Sequence, residues 1–483
     1  MAEPTSSSPS GLKKHILSYS EVIAQSVSVI APSTIPAAVV GLIFASAGNG
    51  TWLSFLLGMI GMVLVGVNVN QFARRSASPG SLFTYIVKGL GPSAGVLSGW
   101  ALLLGYIATG MSTLCGFAIF SELILKDLSI HLPILGLFVG GIVVAGFVAY
   151  RDIQLSAKLM LAFEVLSMAF ILTLGVVIWW QHGFALDTDQ LTLKGSTPSG
   201  VLLAIVLVVF GFSGFESATS LGEEAKNPLK TIPRAVTHST LISGGFFLLM
   251  AYIVTLGFKG TDGNLGQTEA PFDFLAPRTG YPIFGVLINV GTLLSFFACT
   301  LACINSTARI VYSMSLHGLF HDALAEAHSI NKTPHVAVIL SALITLIFPT
   351  AAVLFGITAF EAQGHFGTLA SFGFLLIYFL VSIAAPIYLR GQGRLRIRDV
   401  VYSLLAIAFL TLPLLGTLGI PGSKLFPPPS YPDNLFIWIF AAYMGVGLGW
   451  LVIQRIRSPE MVHDMKSSVD EHHERFETAN RAP

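Results

Sequence analysis

The stretch GFSGFES, residues 211–217, sets two glycines, two serines and a carboxylate, Glu216, inside an apolar run from about Val201 to Leu221. An ionisable group at membrane depth is costly enough to signal a use or a dedicated partner. Two chemistries suit Glu216: it can carry a coupling proton, or it can accept hydrogen bonds from amides freed where the glycines unwind a helix. A matching place lies in SVIAPSTIPAA, residues 28–38, where Pro32 and Pro36 interrupt an apolar segment and Ser33 and Thr34 stand between them. Proline removes a backbone donor and clashes with the preceding turn, so no unbroken helix runs through both. Unpaired backbone groups are tolerated in a bilayer only against protein or a wet cavity, so two breaks imply a cavity. Half-helix N-termini there suit a carboxylate, with the amides of Ser33, Thr34 and Ile35 as donors, and nearby carbonyls suit an ammonium group.

The elements that position these residues follow from composition. Of 483 residues only 11% are charged and 53% are hydrophobic, with mean hydropathy +0.76, against roughly 25% charged in a soluble domain. This is an all-α integral membrane protein with the lipid bilayer as its solvent. A net charge of +1 gives no electrostatic reason to expect nucleic acid as a partner. The three cysteines, Cys115, Cys299 and Cys303, fall in apolar segments and read as small core residues. His317 and His321 stand one helical turn apart without an evident third ligand, so neither a metal nor a cofactor is expected. No HExxH pair, nucleophile elbow or cluster of carboxylates points to an enzyme. The opening MAEPTSSSPS lacks the pattern of a cleaved signal, so the first apolar segment stays as a membrane helix.

Apolar runs of roughly 20 residues predict twelve transmembrane helices, at 18–46, 51–71, 93–124, 133–150, 156–180, 199–221, 238–258, 282–314, 334–356, 366–390, 399–419 and 434–454. Counted by alternate side, the Lys and Arg residues split 21 to 5, which puts both termini in the cytoplasm. The expected organisation is a cytoplasmic N-terminal tail (1–17), a core of helices one to ten (18–392), two further helices (393–456) and a cytoplasmic C-terminal tail (457–483). Both tails read as solvated. Gly136 and Gly140 have the spacing of a close helix approach. Breaks in the first and sixth spans, the leading members of two five-helix sets, are the sequence signature of a transporter site between inverted repeats.

FGFSGFESATSLGEEAKNPLKTIPRAV, residues 210–236, resembles the sixth helix and following loop of the amino acid–polyamine–organocation permeases. NSTARIVYSMSLHGLFHDALAEAHSINKTPHVAV is similar to that family's eighth helix and loop, and SASPGSLFTYIVKGLGPSAGVLSGW to its segment between helices two and three. The resemblance spans about Ser18 to Arg390. It implies a leucine-transporter-like fold of five plus five helices in inverted repeats with two C-terminal helices appended. It also implies a substrate site between helices one and six, alongside three, eight and ten. In such permeases an aromatic six residues before the sixth-helix carboxylate lids the site, here Phe210. The substrate-binding set is then Ala31, Ser33, Thr34, Ile35, Phe210, Gly211, Phe212, Ser213 and Gly214, with Phe210 and Glu216 as gating or coupling residues.

One departure bears on coupling. Many relatives carry a lysine on helix five, nine residues after a basic residue that here is Lys158; counting on lands on Ser167. Glu164, on roughly the same helical face as Ser167, is a substitute proton site or a packing residue. Alternatively Ser306 and Thr307 join carbonyls near Ala31 as oxygen ligands for sodium, or bond only to their own helix. The expectation is a secondary active transporter of an amino acid or related amine in the plasma (inner) membrane, coupled to H+ or Na+ or working by exchange. A nutrient receptor or channel on the same scaffold is the alternative.

Overall fold

The computed structural model describes residues 11–268, 270–458 and 465–469. Residues 1–10 and most of the expected C-terminal tail lie outside that set. Among the described residues there is no strand, only an isolated parallel bridge between Leu17 and Ala225. The chain begins with α1 (Tyr19–Ile30), a π-helical turn (Ile35–Val39), α2 (Val40–Ala47), α3 (Thr51–Ala73), α4 (Leu82–Leu90) and α5 (Pro92–Asp127). There follow α6 (Ile134–Arg151), α7 (Ile153–Gln181), the short α8 (Thr188–Leu191), α9 (Pro198–Gly211) and a 3-10 turn (Ser217–Leu221). The remainder is α10 (Pro228–Phe258), α11 (Pro271–Arg278), α12 (Ile283–Leu316), α13 (His335–Leu354), α14 (Ala359–Gly391), α15 (Ile397–Leu418) and α16 (Phe436–Arg457).

Ten helical stretches among the described residues are long and apolar enough to cross a membrane. The expected first two spans fall within one of them, Tyr19–Ala73, while α9 is too short to count by itself. Boundaries differ where capping chemistry decides them. Asp152 starts α7 ahead of the expected 156 by accepting from the amides of Gln154 (2.6 Å) and Leu155 (3.4 Å). Glu361 and Thr358 bond each other's backbone, which starts α14 at Ala359 rather than 366. Pro228, needing no donor in the first turn, opens α10 ten residues before the expected 238.

The interior of the bundle is α5, α12 and α14. In its most apolar window α5 is 78% buried, against 17% for α16, so α16 is a peripheral helix. Gly373 allows the close approach of α14 to α5: a Cβ there would lie 2.6 Å from the Ala101 carbonyl oxygen. The expected contact at Gly136 and Gly140 does not form, because α6 turns the adjacent Gly141 toward Phe117 and leaves Gly140 facing open space. Exposed Val143, Phe147, Val165, Phe348 and Trp438 give the outer faces the apolar surface that a bilayer requires.

Residues 11–17, part of the expected solvated tail, are packed instead. Leu12 and Leu17 are buried, the Gly11 amide donates to the Tyr312 hydroxyl, and Lys13 pairs with Asp152. The amides of Ile16 and Leu17 both donate to the Glu224 carbonyl at 2.9 Å. The segment is thus a strap across one end of the bundle.

Candidate functional site

Both anticipated breaks are present. Helix α1 stops at Ala31, which adopts a left-handed conformation (φ 49°, ψ 63°), and helical structure resumes only at Ile35. The Ala31 carbonyl accepts from the Thr34 amide (3.0 Å) and the Thr34 hydroxyl (2.8 Å). That correction removes Thr34 from the expected trio of free amides, and Ser33, whose buried Oγ has no partner, and Ile35 remain. Helix α9 stops at Gly211, and turns carry the chain through residues 212–216 to the 3-10 segment. Gly214 takes φ 83°, which L side chains rarely adopt, and sits so close to Val29 Cγ1 that a Cβ would overlap it.

The two breaks face each other. A Cβ on Gly211 would lie 2.9 Å from Ile35 Cδ1, and Gly214 abuts Val29 beside the end of α1. Below them, the Ser217 hydroxyl donates to the Gln25 carbonyl (3.1 Å) and the Ala218 amide to Ser26 Oγ (2.9 Å). On the α12 side the Cys299 thiol donates to the Val29 carbonyl (3.3 Å), giving that thiol a partner beside the break that the sequence alone did not suggest.

Glu216 is fully buried, and each of its oxygens accepts one phenol: Tyr106 of α5 on Oε1 (2.8 Å) and Tyr378 of α14 on Oε2 (2.7 Å). The Tyr378 oxygen itself accepts from the Gly214 amide (2.8 Å). With that lone pair engaged, its single proton is directed at the carboxylate, so the break, α14 and Glu216 form one chain of bonds. Tyr106 and Tyr378 were missed by sequence reasoning. Each is a phenol in mid-helix, a visible signal, but nothing in the sequence pairs them with Glu216.

The other anticipated residues divide into four groups. Phe210 points its ring at Gly367 of α14, where a Cβ would lie 3.0 Å from Phe210 Cζ, so it bridges the break to α14. Phe212 and Ser213 do not share that direction: Phe212 packs edge-on against Phe247 of α10, with centroids 5.2 Å apart, and Ser213 Oγ returns to the Val209 carbonyl (3.5 Å). Phe212 therefore packs away from the facing breaks, against α10. Glu164 and Ser167 lie at the seam of α7 and α12, where Ser295 Oγ lies 2.9 and 3.1 Å from the two Glu164 oxygens and Ser167 Oγ has no partner. Ser306 is drawn away from Ala31: its Oγ accepts from Gln25 Nε2 (3.0 Å) and lies 3.4 Å from Ser220 Oγ. Thr307 is buried beside it in sequence, one position round the helix.

The end nearest the strap is closed by a bidentate pair in which Arg309 Nε and Nη2 donate to Glu224 Oε2 (2.6 Å) and Oε1 (2.8 Å), both side chains buried. Next to it Glu223 is buried with Oε2 unpartnered. Burial pushes its carboxyl up to about 7, with Lys14 opposing and Glu224 adding to the rise. Among the described residues no group of three or more His, Cys, Asp or Glu side chains is placed to hold a metal; His317 Nδ1 meets Ser468 Oγ and His321 Nδ1 accepts the Ala323 amide.

Two broken apolar helices packed on one another around a buried carboxylate, inside a bundle of membrane-crossing length, are the architecture of a membrane permease. The chain belongs to the amino acid permease family, whose family model matches residues 25–457. It is similar to the branched-chain amino acid permease BcaP of Bacillus subtilis (strain 168), 25% identical over 365 residues, which cover 72% of this chain and 75% of that protein. The low-affinity putrescine importer PlaP of Escherichia coli (strain K12) is 24% identical over 383 residues, 76% of this chain and 78% of that one. Cationic amino acid transporter 4 of Mus musculus is 25% identical over 355 residues, 69% of this chain but 54% of that protein, so the match spans about half its length. The protein is thus a membrane transporter.

Proposed function

We propose that this transporter moves an amino acid or closely related amine by alternating access, driven by protons or by exchange. The observation that carries the reading is the pair of facing breaks, Ala31–Thr34 against residues 212–216, with Glu216 tied to one of them through Tyr378. In this reading the substrate carboxylate meets the amides of Ser33 and Ile35, its amino group meets carbonyls near Phe210 to Ser213, and Phe210 closes over it. The relatives named for branched-chain amino acids and for putrescine agree with that substrate class. No covalent step is involved.

Counting Tyr19–Ala73 as two crossings and the broken segment from Pro198 to Leu221 as one turns the ten apolar stretches into twelve. An even number keeps both termini on one side, and the Lys and Arg bias supports the cytoplasmic side. Two inverted sets of five helices followed by α15 and α16 fit that count. Sodium coupling through Ser306 and Thr307 has less support, because the Ala31 oxygen already accepts twice and Ser306 is held by Gln25.

The test is uptake of labelled amino acids and amines into proteoliposomes under imposed proton or sodium gradients, for wild type and Glu216→Gln. Accumulation driven by a proton gradient and reduced to exchange by the substitution is the expected result. Accumulation driven by sodium alone would replace the coupling assignment, and no saturable flux for any compound would overturn the substrate class.

A further inference from the structure

At the end of the bundle that carries the strap, the ends of α3 and α14 and the start of α15 enclose two cavities of about 620 and 780 Å³. Arg74, Arg75 and Arg394 line both, so the cavities adjoin. Arg396 and Arg398 complete the first wall, and Lys88 and Lys466 the second. Among the described lining residues seven side chains are cationic, Lys88 being bonded to Ser76 Oγ (3.0 Å), and Asp399 is the one carboxylate. That carboxylate accepts from the Arg396 amide (3.1 Å) and from Gln71 Nε2 (3.2 Å), capping α15, and lies 3.9 Å from Arg398 Nε, which leaves the cations in large excess. Arg75 spends Nη1 on Gln71, while its buried Nε has no hydrogen-bond partner.

Like charges gathered around a cavity repel one another and favour a bound anion. Guanidinium groups match phosphate oxygens in pairs, and five of the seven cations are arginines. The surroundings indicate where the phosphate comes from. Ile387 lines the second cavity and is exposed, and Ile397, Val401, Leu404 and Leu405 continue an exposed apolar surface along α15. A soluble phosphate has no use for that surface, whereas acyl chains do.

We propose that the cavity binds the phosphate of an anionic phospholipid, with the acyl chains lying along α14 and α15. Basic pockets between membrane helices recognise such headgroups by this combination of charge and depth. The site is separate from the breaks and does not depend on which substrate they carry.

The experiment compares thermal unfolding of the purified full chain in detergent with added phosphatidylglycerol, phosphatidylcholine or inorganic phosphate. Phosphatidylglycerol is expected to raise the midpoint and the other two to leave it unchanged. In Arg394→Gln/Arg396→Gln/Arg398→Gln, whose altered residues are all exposed, the apparent affinity for phosphatidylglycerol should fall roughly 100-fold. Native mass spectrometry of the wild type, counting retained phosphatidylglycerol, gives a reading independent of the variant's fold. An undiminished response in the variant, an equal response to phosphatidylcholine, or a full response to inorganic phosphate would each overturn the assignment, the last by showing a soluble-anion site.

Discussion

Glu216 and Glu164 are both carboxylates withdrawn from solvent, yet they sit in unlike surroundings. Glu216 lies where a helix has come apart, and phenols from two other helices reach it, one on each oxygen. Glu164 lies inside the unbroken α7, and among the described residues Ser295 spans both its oxygens. The first arrangement ties a carboxyl to a break in the backbone; the second ties two continuous helices together. Burial by itself therefore does not mark a working carboxylate. What marks it is whether the groups that satisfy it move when the fold changes state.

The largest test of that distinction is substitution of each carboxylate by its amide. Glu216→Gln replaces an acceptor with a group that offers a donor to one of the tyrosines and cannot release a proton. Two carboxyl–phenol bonds are altered and the exchangeable proton is lost, so gradient-driven uptake should fall roughly 100-fold. Glu164→Gln keeps a partner in Ser295 and should lower uptake less than about tenfold. Equal losses in proteoliposome uptake would abolish the contrast.

A comparable effect, on stability, is expected at the break itself. Gly214→Ala forces a side chain into a left-handed backbone and against Val29, at a cost of about 3 kcal/mol from strain and overlap together. The melting temperature in detergent should fall, and Val29→Ala should restore part of it by removing the overlap. Gly140→Ala, facing open space on α6, should leave the melting temperature within about a degree of wild type.

The tyrosines separate next. Tyr378→Phe removes both a donor to Glu216 and the acceptor of the Gly214 amide, whereas Tyr106→Phe removes one donor. Their costs should stand near 3 and about 1.5 kcal/mol. A Tyr106 variant that is the more damaged in stability and uptake would mean that the α5 side, not the link to the break, holds the carboxylate.

The contrast also explains what was legible beforehand. Pro32, Pro36, Gly211 and Gly214 announce the breaks because backbone chemistry is local and printed in residue type. Membrane helices are legible for the same reason, through hydropathy. Long-range choices are not. That Phe212 packs against α10 and that Ser306 bonds Gln25 depend on helix rotation and depth, which a charge-poor sequence records weakly. Gly136 and Gly140 show the same limit: the spacing was right for contact, but Gly141 received it. The strap formed by residues 11–17 was hidden by its polar composition, since its main attachment is through backbone amides that every residue carries.

A third buried carboxylate, Glu223, lies outside the membrane-spanning segments and sharpens the comparison by a different route. Its carboxyl is pushed up to about 7 from an ordinary 4.5, chiefly by burial beneath the strap. The closed strap thus favours the neutral acid, while an opened strap lets Glu223 ionise near its ordinary value. Stability from this group is complete below about pH 4.5, declines as pH rises through about 7 and is level above, a loss of about 3 kcal/mol at most. Lys14 and Glu224 beside it act in opposite directions on the same equilibrium, and Arg309 holds Glu224 in place. Amide hydrogen exchange at His15, Ile16 and Leu17, corrected for its intrinsic pH dependence, should therefore show protection falling between pH 4.5 and 7 in the wild type and a flatter course in Glu223→Gln. If protection instead rises with pH in both proteins, Glu223 does not govern the strap, and the Arg309–Glu224 pair is what keeps that end of the transporter closed.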